Sequence, residues 1–322
     1  MMDWTDRHCR YFLRLISPRC RLYTEMITTG SLLFGNVPRQ LDFDPAEHPI
    51  ALQLGGSDPQ ALAHCARLGE AWGYDEINLN VGCPSERVQT GSFGACLMAE
   101  PLLVADCVAA IRDAVALPVT VKHRVGIDAI EDYAFVHHFV ASVALAGATA
   151  FLVHARNAIL KGLSPKQNRE LPPLKYDYVH RLKHDFPDLT IVINGGIGTH
   201  DAIARELEQV DGVMIGRAAY QNPWLLSESD RYCFGEDRST RPRRSRAEVV
   251  EALVPYAEAQ LAQGVRLRAI ARHVLGLYHG EPGARAWRRM LSDERVLKGG
   301  GAELFFRALR EVEPEYVLAD SA

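Results

Sequence analysis

The sequence holds no C-x-x-C pair, no low-complexity tract and no unbroken apolar run long enough to cross a bilayer. Its seven cysteines, Cys9, Cys20, Cys65, Cys83, Cys96, Cys107 and Cys233, are scattered and odd in number. That pattern argues against a zinc site, any other metal site or a disulfide framework, and for a reducing cytoplasm. The most apolar stretch, Phe139 to Leu152, is broken by Ser, Thr and Gly and falls short of the roughly 20 residues a membrane helix needs. Met1 to His8 has no basic start followed by an apolar stretch, so it does not read as a secretory signal. A G-x-G-x-x-G fingerprint is also missing, and a Rossmann dinucleotide site is therefore not indicated. A large charge of one sign is lacking too: the formal net charge is -4. This excludes a chain wrapped in nucleic acid over its whole surface and leaves room for a local basic patch.

What is present is material for a sizeable core. The 322 residues are 48% hydrophobic and 24% charged, enough for one large α/β barrel or two ordinary domains and too apolar for disorder as the main state. From about residue 20 to 226, short β-rich runs alternate with helix-length segments, the pattern of βα units around a parallel sheet. Strands are expected at 22–24, 50–54, 76–80, 119–123, 150–154, 190–194 and 212–215, one short of a (β/α)8 barrel. Helices are expected at 59–72, 101–115, 131–146, 176–186 and 201–207, where apolar residues recur at three and four. After Leu226 the strands stop. A polar, Arg-rich stretch at 235–246 reads as a linker, and 247–322 as a small all-helical domain beginning with helices at 247–264 and 266–278. The domains expected are thus a TIM barrel over 1–234, the linker, and the helical part.

Barrel chemistry sits at the C-terminal ends of the strands. Here those ends carry Gln53, Asn80, Lys122 and His123, His154, Asn194, then Gly216 and Arg217. Past the third strand run lies Asn78-Leu79-Asn80-Val81-Gly82-Cys83-Pro84-Ser85, followed by the glycine-rich Thr90 to Ala95. A cysteine so placed can be an acid, a nucleophile or inert filler, and its position between Gly and Pro at the rim favours a chemical role. Lys122 and His154 on the same rim suit stabilisation of negative charge or of a phosphate. Asn194-Gly195-Gly196 and, roughly twenty residues on, Gly216-Arg217 fit the phosphate-binding corner of a barrel, where glycine lets backbone N–H groups approach the ligand. A phosphorylated cofactor follows from the glycines; its identity does not.

Taken together, the motifs resemble those of the flavin-dependent tRNA dihydrouridine synthases. They are Met2 to His8, Tyr23-Thr24-Glu25-Met26, Gln53-Leu54-Gly55-Gly56, Asn78 to Ser85, Val121-Lys122-His123-Arg124, His154-Ala155-Arg156, Asn194-Gly195-Gly196 and Gly216-Arg217. Gly276-Leu277-Tyr278 and Pro282 to Arg289 resemble the helical domain of the A subfamily. The resemblance implies FMN in the barrel mouth, NADPH as electron donor and tRNA as substrate, and a monomer is expected. It implies FMN contacts from Met1, Met2, Gln53, Lys122, His154, Asn194, Gly195, Gly196, Gly216 and Arg217. Hydride from flavin N5 would reach uracil C6 and Cys83 would protonate C5 from the opposite side, giving 5,6-dihydrouridine. The uridine would have to leave the folded tRNA elbow to enter the pocket. Asn80 would contact the flipped base or its neighbour. The long 156–176 segment reads as a flexible basic arm, and Lys166 and Arg169 from it, with Arg285 and Arg288 from the helical part, would orient tRNA by charge and shape. The A subfamily acts on the D-loop, which implies positions 20 and 20a.

One departure stands out. Family members carry a short strand ending in Ala-Pro-Met ahead of the Met-Asp-Trp segment, and this sequence begins at Met1. A barrel without its first strand is therefore expected, with two unpaired sheet edges and part of the FMN site unmade, and the natural start is expected upstream of Met1. Competing readings are a flavin enzyme of a free pyrimidine, which has no evident need for the Arg-rich helices, and an RNA-binding module without flavin. A Schiff-base aldolase using Lys122 leaves Cys83 unexplained.

Overall fold

The computed structural model describes residues 1–85, 88, 91–235 and 244–316. Most of the expected linker, Thr90 of the glycine-rich loop and 317–322 of the helical part lie outside the described residues. The chain separates into two compact units: Met1–Met2 with Arg21–Gly216, and Asp3–Cys20 with the residues from Arg217 onward.

The first unit is a parallel α/β sheet of (β/α)8 type. Its strands are β1 (Leu22–Tyr23), β2 (Ile27–Thr28), β3 (Ile50–Gly55), β4 (Glu76–Val81), β5 (Val119–Arg124), β6 (Ala150–His154), β7 (Thr190–Asn194) and β8 (Gly212–Met214). The order is β1-β3-β4-β5-β6-β7-β8, with β2 also pairing β3, every pairing is parallel, and among the described residues none joins β8 to β1. Every residue of β3 and β4 is buried, as expected for strands covered on both faces.

β2 is absent from the sequence reading, and its reason is local. Leu22 pairs with Ile50 and Ile27 with Leu54, so β1 and β2 are two pieces along one edge of β3. Between them the Thr24 hydroxyl accepts the Gln53 backbone N–H at 2.9 Å. A side chain thus replaces the ladder for one step, and two-residue strands carry too little pattern to be read.

The expected helices appear at Pro59–Ala71, Pro101–Ala114, Tyr133–Leu145, Tyr176–Asp185 and His200–Leu207. Several start on a side-chain cap, with Asp58 accepting from Ala61 N–H, Asp132 from Phe135 N–H and Thr199 from Ala202 N–H, which satisfies otherwise orphaned donors. Between strands and helices lies one apolar core that includes Leu52, Ile77, Val121, Phe139, Phe151 and Ile193.

The second unit is helical. Ser245 and Glu248 form a capping box that opens the helix Arg246–Ala262, followed by Leu267–Val274, Ala284–Ser292, Glu294–Gly299 and Glu303–Arg310. Its limits differ from the sequence boundary at 234, because Asp3–Cys20 and Arg217–Phe234 group with these helices. The helix Arg7–Ile16 explains the first of these: Cys9 and Phe12 are fully buried, Tyr11 stacks on Tyr256 with centroids 3.8 Å apart, and the His8 imidazole meets the Tyr256 hydroxyl at 2.8 Å. Asp6 caps that helix and pairs with Arg272 and His273, so its carboxyl is held well below the usual range despite burial. Trp287 is buried and donates its indole N–H to Val274 O at 3.0 Å. No helix among the described residues is long and apolar enough to cross a membrane, and no described group of three His, Cys, Asp or Glu is placed to hold a metal ion.

Candidate active site

The first unit brings the rim residues together at the strand ends. Cys83 follows β4 and is half-buried. Its loop is fixed from two sides. The Asn80 Oδ1 accepts the backbone N–H groups of Gly82 and Cys83 at 3.1 and 3.0 Å. The Cys83 carbonyl accepts Ala95 N–H at 2.9 Å. Gly94 makes this closure possible: its φ is +77°, and a Cβ there would lie 2.6 Å from the Cys83 carbonyl oxygen and 2.5 Å from Val88 Cγ1. Only glycine meets both demands.

Asn80 itself is buried, and its amide donates to Gln53 Oε1 at 2.8 Å. Gln53 in turn donates to Asn78 Oδ1 at 2.9 Å. Both amides are therefore engaged with the protein, and Asn80 acts on the Cys83 loop through its side-chain oxygen. The expected base contact of Asn80 stays a proposal; its positioning role was missed.

Arg124, at the end of β5, was also missed as a site residue. It is buried, and it donates to the Gly82 carbonyl at 3.1 Å and to the carbonyls of Asn157 and Asn168 at 3.1 Å each. One guanidinium thus ties the Cys83 loop to the 156–176 segment, a use of Arg's planar fork that Lys does not reproduce. Burial lowers its pKa to about 9, with Cys83 opposing and the nearby Arg169 and Arg156 adding to the fall.

The 156–176 segment is not an open arm. Asn168 is fully buried; its amide donates to the carbonyls of Ile159 and Leu163, and its oxygen accepts Ile159 N–H at 2.7 Å. A short 3-10 turn spans Gln167–Arg169, Arg156 donates to the Pro172 carbonyl, and Lys175 reaches Glu131 at 2.8 Å. A single buried Asn inside a polar stretch organises the loop, and the length rule that suggested flexibility did not weigh it. Lys166 is exposed at the surface of this loop and Arg169 is half-buried.

On the facing side, Lys122 is half-buried and its ammonium donates to Asn194 Oδ1 at 3.2 Å, while Asn194 donates to Met214 O at 2.7 Å. Loss of solvent, with help from Arg124 and against Cys83, brings the Lys122 pKa down to about 8. His123 points into the core between Phe139 and Phe151, and burial lowers its pKa to about 4. It is a core residue and not part of the site.

His154 is buried at the end of β6, next to Gly195. Gly195 and Gly196 have φ of +116° and +75°, and a Cβ on Gly195 would lie 2.6 Å from His154 Cδ2. Tyr176 donates to the Gly195 carbonyl at 2.5 Å. These two glycines are demanded by the fold itself. Gly216 is different: it has no positive φ, and a Cβ there would meet only Met1 Sδ, at 3.4 Å. Met2 is exposed. Arg217 opens the helix Arg217–Gln221 in the second unit. There too, Arg285 and Arg288 lie exposed on the helix Ala284–Ser292, whose Ala284, Trp287 and Leu291 face inward.

Comparison with known proteins agrees with this geometry. The family model described as "Dihydrouridine synthase (Dus)" matches residues 1–312. The chain is 54% identical over 315 residues, 98% of its length and 92% of the relative's, to a protein of Xanthomonas campestris pv. campestris named tRNA-dihydrouridine(20/20a) synthase. It is 56% identical over 310 residues to a Synechocystis protein of the same name, covering 96% of this chain and 92% of that one. Among solved structures, a 2-naphthoyl-CoA reductase in complex with 2-naphthoyl-CoA shares the fold, with a TM-score of 0.52 at 12% identity over 73% of this chain and 47% of the other. By a match running through both units, and by relatives sharing over half its residues, the chain belongs to the dihydrouridine synthase family.

Proposed function

We propose that this chain reduces uridine to 5,6-dihydrouridine in the D-loop of tRNA, at positions 20 and 20a, with FMN bound in the first unit and NADPH as the source of electrons. The observation that carries the reading is the treatment of Cys83, whose backbone is held by Asn80, by Ala95 and, through Gly82, by Arg124. An inert cysteine needs no such support, whereas a proton donor must be held within reach of its acceptor. The relatives named for the 20 and 20a positions support the substrate and site.

The residues present fit FMN. Gly216 is small for no reason of backbone angle or packing, which suits close approach of a phosphate to the chain. Lys122, a cation shifted downward by desolvation, lies near both Cys83 and Asn194. In this reading Gln53, Lys122, His154, Asn194, Gly195, Gly196 and Gly216 hold the flavin, with Met1, Met2 and, next along the chain from Gly216, Arg217. Bound FMN supplies the hydride that uracil C6 receives. Cys83 gives its thiol proton to C5, so the C5–C6 double bond becomes a single bond. Lys122 would help hold the flavin and would offer positive charge to electron density gathered on the uracil. Lys166, Arg169, Arg285 and Arg288 contact phosphates of the tRNA and set its orientation without reading bases.

Expression of this chain in a bacterium lacking its own tRNA-dihydrouridine(20/20a) synthase tests the whole reading. Dihydrouridine restored at positions 20 and 20a is expected; modification at other positions would overturn the site, and none at any position would overturn the function.

A further inference from the structure

The strand β4 alternates Glu76-Ile77-Asn78-Leu79-Asn80-Val81, and all six residues are buried. Its polar positions continue the hydrogen-bond path beyond Gln53. The Asn78 amide donates to the Thr120 hydroxyl at 2.8 Å, and that hydroxyl donates to Glu76 Oε1 at 2.6 Å. Strand register sets this up, since Gln53 pairs with Asn78 and Asn78 with Thr120 across β3, β4 and β5. At the far end Tyr23 donates to Glu76 Oε1 at 3.0 Å and Arg21 to Glu76 Oε2 at 2.7 Å.

The path runs one way. An ionised carboxylate only accepts and a backbone N–H only donates. Glu76 therefore obliges Thr120 to donate to it and to accept from Asn78. Asn78 must then turn its oxygen to Gln53, Gln53 its oxygen to Asn80, and Asn80 its oxygen to the N–H groups of Gly82 and Cys83. Each amide along the line has two orientations, and the two ends select the same one. Donors aligned in series also polarise one another.

We propose that Glu76, acting through Thr120, Asn78, Gln53 and Asn80, is a positioning residue for Cys83, about 13 Å along β4 from Asn80 at the usual strand rise. It touches neither substrate nor cofactor. The carboxylate locks the amide orientations that keep the Asn80 oxygen under the Cys83 loop. This rests on the reading of Cys83 as the proton donor.

The deciding variant is Thr120→Val, which keeps the shape and deletes the hydroxyl that joins Glu76 to the amides, with Thr120→Ser restoring it. Two readouts are taken on variants of checked flavin content: steady-state dihydrouridine formation over a range of tRNA concentrations, and the rate at which iodoacetamide labels Cys83 without tRNA. For Thr120→Val we expect a kcat loss of about tenfold to hundredfold, as for small misplacements of a reacting group, with KM for tRNA and flavin content unchanged. Cys83 labelling rises severalfold, and Thr120→Ser recovers both. Wild-type kcat and labelling in Thr120→Val would overturn the proposal. So would a joint loss of kcat, KM and flavin that Thr120→Ser fails to rescue, the mark of a merely structural role. If Thr120→Val does not fold, Glu76→Gln decides by the same two readouts, since Gln can turn a donor toward Thr120. Should Cys83→Ala stay active, the donor assignment fails, yet labelling still reports whether Glu76 and Thr120 hold the loop.

Discussion

On the β4 side of the first unit, Cys83 is held by side chains: Asn80 under its amide, Arg124 on the carbonyl of Gly82, and a line of buried amides leading to Glu76. On the β7 and β8 side, the same rim is shaped by glycines, with Gly195 and Gly196 in conformations other residues avoid and Gly216 without that need. The contrast suits the two tasks proposed for this rim. A proton donor must be kept in one place, and buried satisfied networks do that at the cost of tolerating few substitutions. A phosphate or ring must be approached closely, and that calls for absent side chains. Damage on the two sides should therefore differ in kind: loss of chemistry or of fold near β4, loss of ligand affinity near β8.

The largest effect expected is at the thiol itself. Cys83→Ala should lower single-turnover dihydrouridine formation by about 10²–10⁴-fold, the usual worth of a positioned general acid, while flavin and tRNA affinities hold. Near-normal product from this variant would erase the distinction between the two sides. Next comes Arg124→Ala, which leaves the carbonyls of Gly82, Asn157 and Asn168 without this donor. Unpaired buried acceptors make this cost roughly 3 kcal/mol or more, a fall of about 6–12 °C in Tm for a unit of this size. Thermal melting would show it, and an unchanged Tm would mean that the guanidinium holds neither loop.

How far the site could be read from sequence also divides along this line. On the glycine side the strand ends were legible, since Asn194-Gly195-Gly196 and Gly216-Arg217 fall at the ends of β7 and β8; the phosphate corner they suggest belongs to the proposal. The rim position of Cys83, just past β4, was legible from its place between Gly82 and Pro84. Glu76 and Thr120 were not, although strict alternation along β4 was in plain view. Alternating polar residues normally signal a face turned to water; in β4 both faces are buried, and only its pairing between β3 and β5 reveals where the polar one goes. Arg124 was hidden for a related reason: its three acceptors are backbone carbonyls spread over 86 residues, and carbonyls have no sequence signature. The barrel was legible from its βα alternation. The grouping of Asp3–Cys20 with the helical unit was not, because partners such as Tyr11 and Tyr256 lie too far apart for periodicity to connect.

Two alanine substitutions sharpen the comparison at smaller magnitude. Gly94→Ala places a Cβ 2.6 Å from the Cys83 carbonyl oxygen at a φ of +77° and should cost about 1–3 kcal/mol, visible as a lower Tm and faster Cys83 labelling. Gly216→Ala adds a methyl that meets only Met1 Sδ at 3.4 Å, so stability without flavin should stay within about 0.5 kcal/mol of wild type while FMN affinity drops in a fluorescence titration. Equal losses of stability in both variants would mean that Gly216 is a packing glycine like its neighbours.

The last comparison is a pH dependence that belongs to Lys122. Its ammonium releases the proton at about 8 in the folded chain and near 10.4 when unfolded. Between those values the unfolded state binds one proton more, so this group makes stability rise with pH across that window. Below about 8 both states are protonated, and the folded protein bears the whole cost of a poorly solvated cation. Lys122→Met removes both the cost and the titration. Without flavin, the variant should therefore melt above the wild type at pH 7, and the gap should close as pH rises from 8 toward 10. Groups remote from Lys122 cancel in the difference, whereas Arg124, which interacts with it, loses a like-charged neighbour in the variant. A gap independent of pH would show that Lys122 keeps its ordinary affinity for a proton, and that the β5 side of the rim is as well solvated as open surface.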